Sequence, residues 1–194
     1  MADIIKPGSG FLFMKVGTHA QESLEDIIAR KTKEIKDAGF AMWGYGGNTC
    51  HPVTKVQPFA RACAVNGGPI YLCMEKMDSK HFAEPVVADE WSADGIHWEP
   101  VPAGIKVRGS RYALIINNLK AEEFDLSLQN TRVAIGDCMG QAGSRYIKGR
   151  VDKACLELAE PHLVVPEDRI VRINLVAELA DPYAVYVRNK PSSS

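Results

Sequence analysis

Apolar and polar positions along this chain follow two periods, and the changes from one to the other mark its elements. Phe11 to Val16 is a short apolar run of strand length. Ser23 follows as an N-cap with Asp26 three positions on, a variant of the capping box. Leu24, Ile27, Ile28, Ile35 and Ala38 then recur at helical spacing, with Glu25, Arg30, Lys31, Lys33, Glu34 and Lys36 on the opposite, solvated side. Gly39 suits the position just past the helix.

Phe40 to Tyr45 reads as a strand running into Gly44-Tyr45-Gly46-Gly47-Asn48, where the chain must turn. Pro52 and Pro58 limit any long helix there, leaving a short one over Phe59–Ala64 before a strand from Ile70 to Met74. Val86 to Val101 has the pattern of a hairpin, with Asp94-Gly95 as its turn and Trp91 and Trp98 on its arms. Four β segments are expected next, at Lys106–Val107, Tyr112–Asn117, Phe124–Leu128 and Arg132–Ile135. The last of them leads into a glycine loop, Gly136 to Ser144, and Tyr146, Ile147, Val151, Ala154, Cys155 and Leu158 lie at the spacing of a second helix. Ile170–Leu175 and Ala184–Val187 close the chain as strands separated by Asp181-Pro182.

These elements predict a mixed α+β domain over residues 1–189: one curved mixed or mainly antiparallel sheet, or a partial barrel, with two principal helices. The polar tail, residues 190–194, is expected to fray. With 194 residues, 46% of them hydrophobic and 24% charged, the chain has the composition of a soluble globular domain. No apolar run approaches the length that spans a bilayer, and the N-terminus lacks the apolar stretch of a secretory signal, so the cytoplasm is the expected location. The five cysteines, without a C-x-x-C pair, are expected to be reduced thiols. A formal net charge of -1 does not indicate a nucleic-acid binder, although a local basic patch is compatible with it.

Two glycine-rich loops are the candidate ligand sites. In Gly136–Ser144, glycines between a strand and a helix would let backbone N–H groups approach a phosphate, with Gly140, Gly143 and Ser144 as contacts, Arg145 and Lys148 neutralising charge, and Arg150 and Lys153 within reach of further phosphate oxygens. The spacing matches neither G-x-x-x-x-G-K-[ST] nor G-x-G-x-x-G. In Trp43–Pro52, Trp43 or Tyr45 would stack on a ring while Gly46, Gly47 and Asn48 make polar contacts. The opposing reading gives both loops a purely structural role, as turns and a packing corner. Cys50 beside His51, or Cys138 near a helix start, are the candidate nucleophiles, weighed against ordinary buried thiols. His19 and Glu22 have a spacing open to two metal ligands, but no third ligand is identifiable and His51, His81, His97 and His162 make no H-x-x-x-H pair, so no metal is assigned. Trp91 and Trp98 fit cross-strand packing as well as a stacking platform.

The early strand, the helix and the Trp-bearing second strand resemble the opening of PUA-like domains, small β-barrels that bind modified bases. The functional expectation is a small-ligand-binding domain for a phosphorylated or nucleotide-like molecule, whose two glycine loops share one pocket. No cofactor is identified. A non-enzymatic protein- or RNA-interaction domain is the alternative, and a Cys-dependent hydrolase or transferase the third.

Overall fold

The computed structural model describes residues 4–6, 9–46, 51–81, 83–149, 151–159 and 169–190. Gly47, Asn48, Cys50, Arg150, His162 and the residues after Lys190 therefore lie outside the described residues. Strand β1 (Gly10–His19) is followed by helix α1 (Leu24–Ala38), β2 (Ala41–Tyr45), α2 (Val53–Val65) and β3 (Ile70–His81). A small hairpin of β4 (Glu90–Ser92) and β5 (Glu99–Pro100) precedes the long β6 (Tyr112–Ser127), β7 (Thr131–Val133), the single-turn α3 (Gly143–Tyr146), β8 (Lys153–Leu158) and β9 (Ile170–Arg188).

Nine strands form one sheet in the order β2-β6-β9-β3-β1-β8-β7, with β4 pairing on β9 and β5 on β4. Among the described residues only β1 and β3 run parallel; the remaining pairs are antiparallel. The parallel pair needs a long crossover, and the intervening α1, β2 and α2 supply it. This is the mixed, mainly antiparallel α+β sheet that the pattern predicts. It does not close into a barrel.

Alternation sends successive strand residues to opposite faces. Leu12, Met14, Leu72, Met74, Leu114, Ile116, Leu175 and Ala177 pack with Leu24, Ile27, Val56 and Phe59 of the two helices. The other face has two smaller clusters, one around Phe11, Phe13, Cys73, Leu156 and Ile173, and one around Met42, Ile105, Val107, Ile115 and Val185. Where both faces are covered, at 11–14, 72–74, 113–116 and 175–177, successive strand residues are all buried and apolar, which is why the sequence lacks a clean period of two there.

α1 begins and ends where its caps place it. Ser23 Oγ accepts from the Asp26 N–H, and the Gly39 N–H donates to Ile35 O. Its charged side differs from expectation, since Lys31 and Glu34 are buried at 2% and 4% exposure. The segment before β6 lies across them, and its Lys106 N–H donates to Glu34 while Lys31 Nζ donates to Lys106 O.

The second principal helix is α2, which reaches back from the expected 59–64 to Val53 and contains Pro58. The helix expected through Tyr146–Leu158 is absent. α3 stops at Tyr146, and residues 153–158 form β8 between β1 and β7, with Cys155 on the helix-covered face and Ala154 and Leu156 on the other. A doubly buried strand and a short buried helical stretch present the same apolar run, and here the β pairing prevails. Two expected pairs of strands are each a single strand. β6 runs unbroken from 112 to 127, and β9 continues through Asp181-Pro182, a cis bond, by looping residues out of register between its pairings of Leu179 with Ile116 and Ala184 with Leu114.

Candidate functional site

At one end of the helix-covered face, β1 turns back through His19-Ala20-Gln21-Glu22. His19 and Glu22 exchange backbone hydrogen bonds across the turn, while Ala20 and Gln21 both have positive φ, 49° and 63°. Two consecutive left-handed residues give the type I′ geometry that glycine and asparagine normally supply. The strained turn is clamped from outside. His19 Nε2 lies 3.0 Å from Arg108 O, so this nitrogen carries the proton and donates it. Arg108 Nη2 donates to Ala20 O at 2.9 Å.

Beside this turn opens a pocket of about 280 Å³. β1 contributes Met14, Lys15 and Val16, α1 contributes Ile27, Arg30 and Lys31, and the end of β2 contributes Trp43, Gly44, Tyr45 and Gly46. His19, Glu22, Val107, Arg108, Asp152 and Lys153 complete the wall. Sheet topology explains the meeting: β1 joins β8, which starts at Lys153, and α1 crosses over the β1 end toward β2. Trp43 and Tyr45 are buried at 5% and 3% exposure, and the Tyr45 hydroxyl donates to His51 O at 2.6 Å.

Charge in the pocket is dense and partly self-matched. Glu22 receives Arg30 Nη2 at 2.5 Å and Nε at 3.2 Å, the fork-to-fork geometry of a strong ion pair. Burial pushes the Glu22 carboxyl up, but the Arg30 bond and charge, with Arg108 and Lys31 nearby, bring it below its usual value. Arg30 Nη1 also reaches Glu34 and Lys106 O. Burial brings the Lys31 amine down to about 8, against the opposing pull of Glu34. Lys153 is 8% exposed and its Nζ donates to Asp152 at 2.9 Å. Arg108 Nε is shut away from solvent and has no acceptor among the described residues, a condition that costs about 1–3 kcal/mol where nothing satisfies it.

The residues singled out in the sequence divide between this pocket and two other places. Trp43, Tyr45, Gly46, His19 and Glu22 line it. The metal-ligand reading of the last two meets prior engagements, since His19 bonds Arg108 O and Glu22 bonds Arg30. Among the described residues no group of three His, Cys, Asp or Glu side chains is arranged to hold a metal ion. His51 is buried behind Tyr45, its ring edge-on to Tyr146 with centroids 6.4 Å apart.

Gly140, Gly143, Ser144, Arg145 and Lys148 do not line the pocket. The Gly136–Ser144 loop, expected as a phosphate cradle, spends three of its amides inside a tight turn: Met139 N–H donates to Gly136 O, Gly140 N–H to Val133 O, and Gln141 N–H to Cys138 O. Gly143 is small for packing, because a Cβ there would collide with Thr131 Oγ1 and lie 3.1 Å from Leu128 O. Ser144 Oγ is buried without an acceptor or donor, and Arg145 and Lys148 are exposed. Cys138 sits on the exposed outer turn, while Cys73 is pushed up to about 12 by burial and Cys155 is raised further by the same cause. Trp91 opposes Glu99 in the hairpin, and Trp98 carries the Arg188 guanidinium 3.7 Å from its ring centroid.

Lys15, Arg30, Lys31, Arg108 and Asp152 escaped the sequence reading of the sites, and Lys153, read there as a further phosphate contact beside the glycine loop, lies instead at the start of β8 in this pocket. Their only common signal is charge, and they come from segments more than a hundred residues apart that the sheet alone assembles. Set against family models, curated proteins and solved structures, the chain matches none.

Proposed function

We propose that the pocket beside the His19–Glu22 turn binds a small anionic ligand carrying a flat ring, of the phosphorylated or nucleotide-like class. The observation that carries this reading is the excess of positive charge in the wall. Lys15, Arg30, Lys31, Arg108 and Lys153 stand against Glu22 and Asp152, in a chain whose formal net charge is -1. Cations gathered around a partly dehydrated concavity raise the local concentration of anions and strengthen each contact by the low dielectric. Trp43 and Tyr45 supply apolar wall for a ring, and a few polar groups among apolar ones are the usual makeup of a small-molecule site.

A ligand that binds only the folded chain raises its apparent stability. A thermal-shift screen with nucleotides, sugar phosphates, their uncharged parents and short RNAs should give a shift for phosphorylated compounds that shrinks with added salt. Absence of any shift at millimolar ligand would turn the assignment toward an interaction domain.

A further inference from the structure

Resting on that reading, we infer that the phosphate is taken by Arg108 and Lys153, and that the occupant is a phosphate monoester no larger than a mononucleotide. The assignment follows from which cations are already spent, and Lys15, half-buried in the same wall with no described side-chain hydrogen bond, stays available as a further donor. Arg30 directs Nε and Nη2 to Glu22 and Nη1 to Glu34 and Lys106 O. Lys31 gives its amine to Glu34 and Lys106 O. These two hold α1 against the segment before β6, and recruiting either would break that brace.

Arg108 and Lys153 have donors to spare. Arg108 makes one described side-chain hydrogen bond, from Nη2 to Ala20 O, which leaves Nη1 without a described acceptor; its Nε is closed off from solvent and so from the pocket. Lys153 makes one, to Asp152 Oδ1, leaving two ammonium protons without a described acceptor on a side chain 10% exposed. A guanidinium offers a planar fork to two oxygens and an ammonium a mobile point charge, the pair of donors that phosphate sites commonly combine. The two carboxylates nearby set the limits: Glu22 is matched by Arg30, whereas Asp152 shares Lys153 and would have to share it with the phosphate. Size sets the other limit, since 280 Å³ lies at the small end of the roughly 300–1,000 Å³ of ligand pockets. One ring system and one phosphate fit that space, whereas a dinucleotide would leave half its surface in water.

Titration calorimetry on the full chain tests this with adenosine and uridine monophosphates, the parent nucleosides, inorganic phosphate and a dinucleotide as probes. Arg108→Gln and Lys153→Met should each weaken monophosphate binding about 10- to 100-fold, the loss expected for one charge-assisted hydrogen bond, and leave nucleoside binding unchanged. Arg145→Ala with Lys148→Ala, on the outer turn, should change neither. Monophosphates binding both variants as they bind the native chain would overturn the Arg108 and Lys153 assignment while leaving the pocket reading intact. Binding of no probe to the native chain would remove both. A dinucleotide binding as tightly as its monophosphate would overturn the size limit. If a neutral variant does not fold, Arg108→Lys and Lys153→Arg preserve charge and change only donor geometry; unchanged monophosphate affinity in both would likewise overturn the assignment.

Discussion

Gly109, next to the pocket residue Arg108, shows how closely the turn beside the pocket is fitted around single atoms. Its φ is +56°, and a Cβ there would stand 2.8 Å from both Ala20 Cβ and Glu84 O. Ala20 is itself left-handed and fully buried, so neither side can retreat. Gly109→Ala should lower stability by about 2–4 kcal/mol, combining backbone strain with overpacking, as read from the urea midpoint. Lys31 makes a prediction of a different kind. Burial brings its amine from an ordinary 10.5 to about 8, so between those values the unfolded chain binds more protons than the folded one. Stability therefore rises with pH through that window and is insensitive to Lys31 below it, where both states are protonated. The unfolding free energy of the native chain minus that of Lys31→Met should climb on the order of 1–3 kcal/mol from pH 8 to 10.5. A flat difference would mean that the amine keeps its ordinary proton affinity in the fold.

Elements differ in how much of their own structure they encode. α1 is fixed locally: Ser23 Oγ meets the Asp26 N–H at 3.2 Å, and Ser23→Ala should cost about 1 kcal/mol in urea denaturation. Those caps, with Leu24 and Ile27 facing the core, made the helix legible before any fold was known. β8 is the opposite case. Lys153-Ala154-Cys155-Leu156 carries no turn signal or polar alternation of its own, and its four residues are all buried. Only its neighbours β1 and β7 make it a strand, so no local rule separates it from a helix. The same holds for Lys31 and Glu34. Charge placed them on the solvated side of α1, and a distant segment around Lys106 buried them.

At the scale of the molecule, the pocket was only half visible in the chain. Its aromatic side, Trp43 to Gly46, stood out by composition, His19 and Glu22 by spacing, and Lys153 as a basic residue after the glycine loop, but Arg108 enters only through the fold, and only strand order moves Lys153 away from that loop. In the second glycine loop, three amides close their own turn and Gly143 makes room for Thr131. Amide hydrogen exchange tests this division in one experiment. In the free chain, protection should be deepest in β9, which pairs with β6, β3 and β4, and shallowest around the exposed 136–141 turn, where few contacts resist local opening. A saturating monophosphate should then slow exchange in 15–22, 43–46, 106–110 and 152–153, four of the segments that line the pocket beside α1. Residues 136–148 should exchange as before. Protection gained there instead, with the four segments unchanged, would return the ligand to the glycine loop and leave the basic pocket as a structural brace between α1 and the sheet.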